Sequence, residues 1–423
     1  MRRIILSGLA GLLIAGPALA AGEHAAAPGS SLGSLLAYAQ QNNPELWAAR
    51  AETEAARQRI ASAGALPDPA VRIELRDVGN DASGGNFNLL PARVGSTKYT
   101  ISQPLPFWGK RDLRREAAEA GAHEAAARLE TSWAELAARL KTSYAMYYQT
   151  ARAERLTREV DALLTQLESL ARTRYANGLI PQQDVVRAQV ERTAIAGELI
   201  GLETEGHHLR ARLNALLHRP AHAPLAEPEV LRPMPPPARL DQDSLEERLQ
   251  ARNPQLYAGS AQVTAAEKNR ELAYRNRYPD FNVGISPIQQ GSRISEWELM
   301  LEFNVPLQQD TRRAQEREAE ALLSAARARR DATATQVSSE LSETLASLAA
   351  ARRVESLSAT QLLPQAEVTF QSALAGYETG KVDFATVLDA QRQIRQARLS
   401  RLKAQVDARV RLAEVERLLG VDQ

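Results

Sequence analysis

The stretch from Arg174 to Val190, RYANGLIPQQDVVRAQV, decides the fold, because it returns as GYETGKVDFATVLDAQR from Gly376 to Arg392. Aligned without gaps, the two share Tyr175/Tyr377, Gly178/Gly380, Val185/Val387, Ala188/Ala390 and Gln189/Gln391, always 202 residues apart. Glycine accepts the positive φ that ends a helix, so each stretch reads as a helix end, a turn and the start of a returning helix. A chain that carries this tip twice is built by duplication, and the repeat sets its architecture.

The copies extend outward from the tips. NNPELWAARAETEAARQRI, from Asn42, is echoed by RNPQLYAGSAQVTAAEKNR, from Arg252, with Pro44 and Pro254 separated by 210 residues. Pro69 and Pro279 keep that offset, and from Pro104 and Pro306 onward it is 202. The eight-residue difference falls where helical spacing gives way to alternation. AVRIELRDV sets Val71, Ile73 and Leu75 against Arg72, Glu74 and Arg76, and SEWELMLEFNV sets Trp297, Leu299, Leu301, Phe303 and Val305 against Glu296, Glu298, Glu302 and Asn304. Both have the period of two of a half-buried strand. Partners are STKYTISQ before Pro104 and DFNVGIS after Pro279, so each copy holds one hairpin, at about 70–104 and 280–306.

After each hairpin, proline is missing from Phe107 to Ile180 and from Leu307 to Leu363. Leu129, Trp133, Leu136, Leu140, Tyr144 and Tyr147 recur at threes and fours, which predicts a helix reaching roughly 100 Å at ~1.5 Å per residue. The expected plan of each copy is a helix, a hairpin, a very long helix, a Gly-containing turn and a returning helix. The boundaries are 21–220 for the first copy, 221–241 for a Pro-rich extended connector and 242–423 for the second copy. The fold class is mainly α with a small β part, in two tandem structural repeats.

Composition limits the function. The start, MRRIILSGLAGLLIAGPALAAG, has a basic n-region, a short apolar run and a small-x-small end at Ala18 to Ala20, the pattern of a secretory signal over residues 1–20. With Arg2 and Arg3 removed the chain is near neutral, which recruits no nucleic acid. There is no cysteine, so disulfides, thiolate metal ligands and lipidation at Ala21 are not expected. No later segment is apolar enough to span a bilayer as a helix, so any span is made by strands, whose length of about ten residues suits a tilted crossing. Four strands cannot close a barrel; three chains supplying twelve leave room for a conduit, whereas eight fill their own interior.

His218 and His222 have i,i+4 spacing, but Pro220 lies between them, so solvent-exposed histidines are expected rather than a metal site. No nucleophile elbow, phosphate loop or zinc motif is present, so neither an enzyme nor a cofactor is expected. A periplasmic coiled-coil scaffold or adaptor without a pore is the alternative to a channel.

The duplicated plan, the paired tips and ISQPLPFWGKRDLRREAAEA from Ile101 resemble the TolC family of outer-membrane efflux factors. SQPLPFWGKR is most similar to its heavy-metal, cobalt-zinc-cadmium-type branch. The resemblance implies a homotrimer with a TolC-like long α-helical barrel and a transmembrane β-barrel of twelve strands, four per chain, in outer-membrane lipid. It implies passive export of heavy-metal cations or other small molecules, in partnership with a periplasmic adaptor (membrane fusion protein) and an inner-membrane resistance-nodulation-division pump.

By position, the resemblance carries a constriction-ring carboxylate onto Asp389 and the acid of the first tip onto Asp184. Thr386 stands where many relatives have a second ring aspartate, and Val382 where some have an arginine. Three ring carboxylates per trimer are then expected in place of six. Adaptor contacts fall on Asn177, Gly178 and Leu179 and on Thr379, Gly380 and Lys381. A residue-level alternative is that Asp184 and Asp389 favour the positive ends of their helices.

Overall fold

The computed structural model describes Gly29, residues 31–79, Gly85 and residues 87–420; the expected signal peptide lies outside them. The first copy runs α1 (Leu32–Asn42), α2 (Pro44–Gly64), β1 (Ala70–Arg76), β2 (Ser96–Leu105), α3 (Lys110–Ala176) and α4 (Gln182–Leu216). A short 3₁₀ turn, Pro237–Leu240, precedes the second copy. That copy has α5 (Gln242–Arg252), α6 (Pro254–Arg275), β3 (Phe281–Gln290), β4 (Arg293–Phe303), α7 (Gln309–Leu357), a π-helical turn (Ser358–Leu362), α8 (Leu363–Glu378) and α9 (Phe384–Leu418).

The same device starts the second helix of each copy. The Asn43 side chain accepts from the amides of Glu45 and Leu46 and donates to the Leu216 carbonyl at 3.1 Å. Asn253 accepts from Leu256 and donates to Leu418 at 2.7 Å. Each buried asparagine therefore caps one helix and closes the end of the returning one, with proline at the first helical position where its missing N–H costs nothing.

Helix α3 is 67 residues long, about 100 Å at 1.5 Å per residue. Its counterpart departs from the expected single helix: α7 stops at Leu357, and the π turn intervenes before α8. Pro364 is the cause, because it has no N–H for the Thr360 carbonyl and its ring crowds that carbonyl, which the wider turn accommodates. The equivalent position in α3 is Ala162.

The helices keep separate cores at mid-length. Leu35, Leu46, Leu140, Tyr144 and Leu213 pack together in the first copy, and Leu245, Leu249, Leu341, Val415 and Leu418 in the second. At the tip one core is shared, with Leu164, Leu167 and Val185 against Phe370, Phe384 and Val387.

The connector is held more firmly than an extended linker. Arg232 donates to Glu416 Oε1 at 2.5 Å, Lys141 reaches Glu416 Oε2 at 2.6 Å, and Tyr144 Oη donates to the Val230 carbonyl. Glu416 thus ties α3, α9 and the connector together.

The two hairpins form one antiparallel sheet in the order β1-β2-β3-β4. β3 runs past the expected segment to Gln290, and its pairing with β2 joins the copies. Where the sheet meets α3, Lys110 is buried, with its Nζ on Asp280 Oδ1 at 2.8 Å and the Tyr278 carbonyl at 2.9 Å. Asp280 also accepts the Phe107 amide, and Phe107 stacks on Tyr278 at 4.5 Å. The motif singled out at Ile101–Arg111 is therefore a rigid elbow between sheet and helix.

Candidate functional site

Each tip turn closes on the same backbone bonds. Gly178 and Gly380 have φ of 71° and 73°. Leu179 N donates to the Arg174 carbonyl at 2.9 Å and Lys381 N to that of Gly376 at 2.8 Å, the 6→1 bond of a helix-ending motif. Asn177, Gly178, Leu179, Thr379, Gly380 and Lys381 are all exposed at this end of the molecule.

The two turns are held to each other unequally. Arg174 donates to the carbonyls of Tyr377 and Glu378 at 2.9 and 3.0 Å, and its guanidinium lies 4.6 Å from the Tyr377 ring. It therefore caps the negative end of α8 from the neighbouring copy. Its own counterpart is Gly376, where an added Cβ would stand 3.1 Å from Val382. Tyr377 is buried against Phe384, with ring centroids 5.4 Å apart. Burial pushes its hydroxyl above the usual tyrosine range.

Returning helices α4 and α9 border an open groove of about 660 Å³ lined by Gln182, Gln183, Val186, Arg187, Asp389 and Arg392. Asp389 lies on it with 66 % of its side chain exposed, 3.4 Å from Arg392 Nη1. Arg392 is engaged more closely by Glu191 of α4, at 2.5 Å. Arg395, one turn further along α9, pairs with Glu198, two turns further along α4. Asp184 sits in the first turn of α4, only 12 % of its side chain exposed, 3.8 Å from Arg187. Sequence reasoning grouped Asp184 and Asp389, but the structure gives them different surroundings.

Thr386 is bound to Asp383, the N-cap of α9, whose Oδ1 accepts both its amide at 3.0 Å and its hydroxyl. Those bonds hold the Asp383 carboxyl below its ordinary range, the Thr386 hydroxyl first. Glu168, buried on α3, accepts from Arg192 at 2.7 Å and from Arg172 at 2.5 Å. Arg192 is the main reason its carboxyl is held low.

Asp383, Arg174 and the Glu191–Arg392 pair were not found from sequence. The first had a readable signal, an aspartate three residues before Thr386 at a helix start; the others join residues about two hundred positions apart. Among the described residues no group of three or more His, Cys, Asp or Glu is placed to hold a metal ion.

At the other end of the molecule, the sheet has two chemically distinct faces. Register places Val71, Ile101, Ile285 and Leu299 side by side, and Leu105, Phe281 and Phe303 likewise. All but the half-buried Phe281 are exposed, Leu299 by 80 %. The opposite face is polar: Thr100 and Ser286 hydroxyls lie 2.9 Å apart, and Lys98 meets Glu298 at 2.5 Å. Among the described residues no helix is long and apolar enough to cross a membrane.

These features have counterparts in known proteins. The model of the outer membrane efflux protein family matches residues 35–217 and 245–421, one segment in each copy. The chain is 24% identical over 396 residues to the cobalt-zinc-cadmium resistance protein CzcC of Cupriavidus metallidurans, covering 92% of this chain and 90% of that one. Crystal structures of CusC superpose with a TM-score of 0.78 at 18% identity, covering 92% of each chain. The outer membrane protein VceC of Vibrio cholerae gives 0.77 at 19% identity, covering 92% of this chain and 96% of that one. With a two-part match to both copies and a channel-like fold along nearly its whole length, the chain belongs to the outer membrane efflux protein family and is an outer-membrane protein with a periplasmic helical part.

Proposed function

We propose that three copies join edge to edge into a twelve-strand barrel continued by a helical tube, and that this homotrimer is a passive exit duct for heavy-metal cations. The observation that carries the reading is the sheet itself. Its order leaves β1 and β4 as edges, its outward side is apolar and its inward side polar. Unpaired backbone in lipid costs several kcal/mol per group, so edges of this kind are completed by other chains.

The cargo class follows the similarity to a cobalt-zinc-cadmium resistance protein, and the metal ion is cargo, not a resident cofactor. An exposed Asp389 in each of three chains forms the carboxylate ring that attracts cations at the tip. Thr386, occupied with Asp383, adds no charge to it. Asp184, buried in the first turn of α4, supports the gate from behind. The paired turns at Asn177–Leu179 and Thr379–Lys381 receive a periplasmic adaptor, which connects the duct to an inner-membrane resistance-nodulation-division pump.

The test is conductance of the purified protein in a planar bilayer. The expected result is cation-selective channels whose block by divalent cations weakens in Asp389→Ala. A protein that inserts no conductance is the pore-less scaffold instead. Loss of the chain is expected to sensitise cells to zinc, cobalt or cadmium salts; unchanged growth on all three removes the metal assignment and leaves the duct.

A further inference from the structure

The elbow between sheet and α3 holds a cleft that the transport reading does not use. It has a volume of about 530 Å³, within the roughly 300–1,000 Å³ of small-molecule sites. Its apolar wall is Leu105, Val283 and Leu301, the last rows of the outward apolar band, so the wall continues the surface that faces lipid. Trp108 stands at its mouth, 74 % exposed, edge-on to Phe281 with centroids 5.9 Å apart. Tryptophan in this position marks the boundary between hydrocarbon and headgroups.

The other end of the cleft is charged. Arg111 lines it with its Nε fixed on the Gly64 carbonyl at 2.9 Å, and among the described residues neither Nη has a hydrogen bond or ion pair. Asp112 lines it too, 64 % exposed and 3.6 Å from Arg115. Two nearby cations are engaged elsewhere: Lys110 with Asp280, and Arg275 with the Trp108 carbonyl. One free guanidinium edge and one exposed carboxylate held by Arg115 only at 3.6 Å, both lining a cleft with an apolar wall, match an ion pair that carries a hydrocarbon tail.

We propose that this cleft binds one phospholipid of the inner leaflet, with an acyl chain along Leu105, Val283 and Leu301, its phosphate on Arg111 and a primary ammonium headgroup at Asp112. A bidentate guanidinium–phosphate contact supplies direction as well as attraction. Asp112 disfavours a headgroup that is anionic overall and favours one that can donate N–H. The site fixes the depth of the elbow in the membrane. It rests on the reading that the outward face of the sheet meets lipid.

Native mass spectrometry of the full-length protein in detergent tests it, titrated separately with phosphatidylethanolamine, phosphatidylcholine, diacylglycerol and inorganic phosphate. Phosphatidylethanolamine is expected to be retained about tenfold more tightly than diacylglycerol, the size of one charge-assisted contact, and more tightly than phosphatidylcholine. Arg111→Gln is expected to abolish the first preference. Asp112→Asn, at an exposed side chain that leaves folding intact, is expected to abolish the second. Equal retention of diacylglycerol, displacement by inorganic phosphate, or preferences unchanged in both variants would overturn the site. Bilayer conductance reads the channel separately, so channels without these lipid preferences sink the lipid site alone.

Discussion

The two copies of the repeat agree where the backbone must start or reverse, and differ where they meet different neighbours. Asn43 and Asn253 make the same cap and the same reach to the end of a returning helix. Gly178 and Gly380 make the same turn. By contrast, β1 and β2 are joined by the long segment 77–95, and β3 and β4 by Gly291 and Ser292 alone. Helix α3 runs unbroken, whereas its counterpart is divided by a π turn. Arg174 ties the first tip to the second, and Gly376 gives nothing in return. Duplication thus preserved the parts that fold each copy, while the contacts between copies became one-sided.

The largest effect is expected from removing one of the contacts that join the copies, the Lys141–Glu416 pair. Lys141 is buried and Glu416 is its only ion-pair partner among the described residues. Glu416→Ala leaves that ammonium uncompensated, with an expected loss of about 3–5 kcal/mol in denaturant unfolding. A loss below 1 kcal/mol would mean that the connector and α9 do not depend on each other.

A second test asks whether the shared device has equal weight in both copies. Asn43→Ala and Asn253→Ala each remove a cap and strand a carbonyl, at about 1–3 kcal/mol. Melting of the two variants is expected to agree closely. A large difference would show that one copy depends on its cap and the other on packing.

The smallest effect is acid sensitivity of the first tip. The folded-state pKa of Glu168 is lowered, so its stabilisation is complete above the ordinary glutamate range, near 4.3, and is lost as pH falls through the lower folded value. Its counterpart is Phe370, which does not titrate. Amide exchange is therefore expected to rise around Glu168 and Arg192 at low pH before it rises around Phe370. Glu168→Gln should remove that order, and simultaneous loosening of both tips in the unaltered protein would contradict it.

Much of this was legible in the sequence, because duplication, strand alternation and turn glycines are local or periodic signals. The alternation at Val71–Leu75 and Trp297–Val305 located both hairpins, but the one helix expected before each hairpin is two, divided at Asn43 and Asn253. Less was legible where distant parts of the chain meet. The proline-free run up to Leu363 suggested one helix, yet Pro364 acts backwards on the carbonyl of Thr360 and so changes the preceding turn. Six prolines ruled out a helix in the connector but carried no sign of its packing on Glu416. At the tip, Asp184 and Asp389 share a residue type and a place near a helix start. Only the fold separates the buried one from the exposed one.

The edge-to-edge assembly is tested most directly by covalent capture across the proposed seam. The chain has no cysteine, so Ile73→Cys on β1 and Leu299→Cys on β4 introduce the only two thiols. Two strands lie between them within one chain, a separation of about 14 Å. A short bis-maleimide applied to outer membranes is expected to convert this double variant into covalent dimers and closed trimers, while either single variant stays monomeric. A double variant that remains monomeric in that fraction would contradict the account.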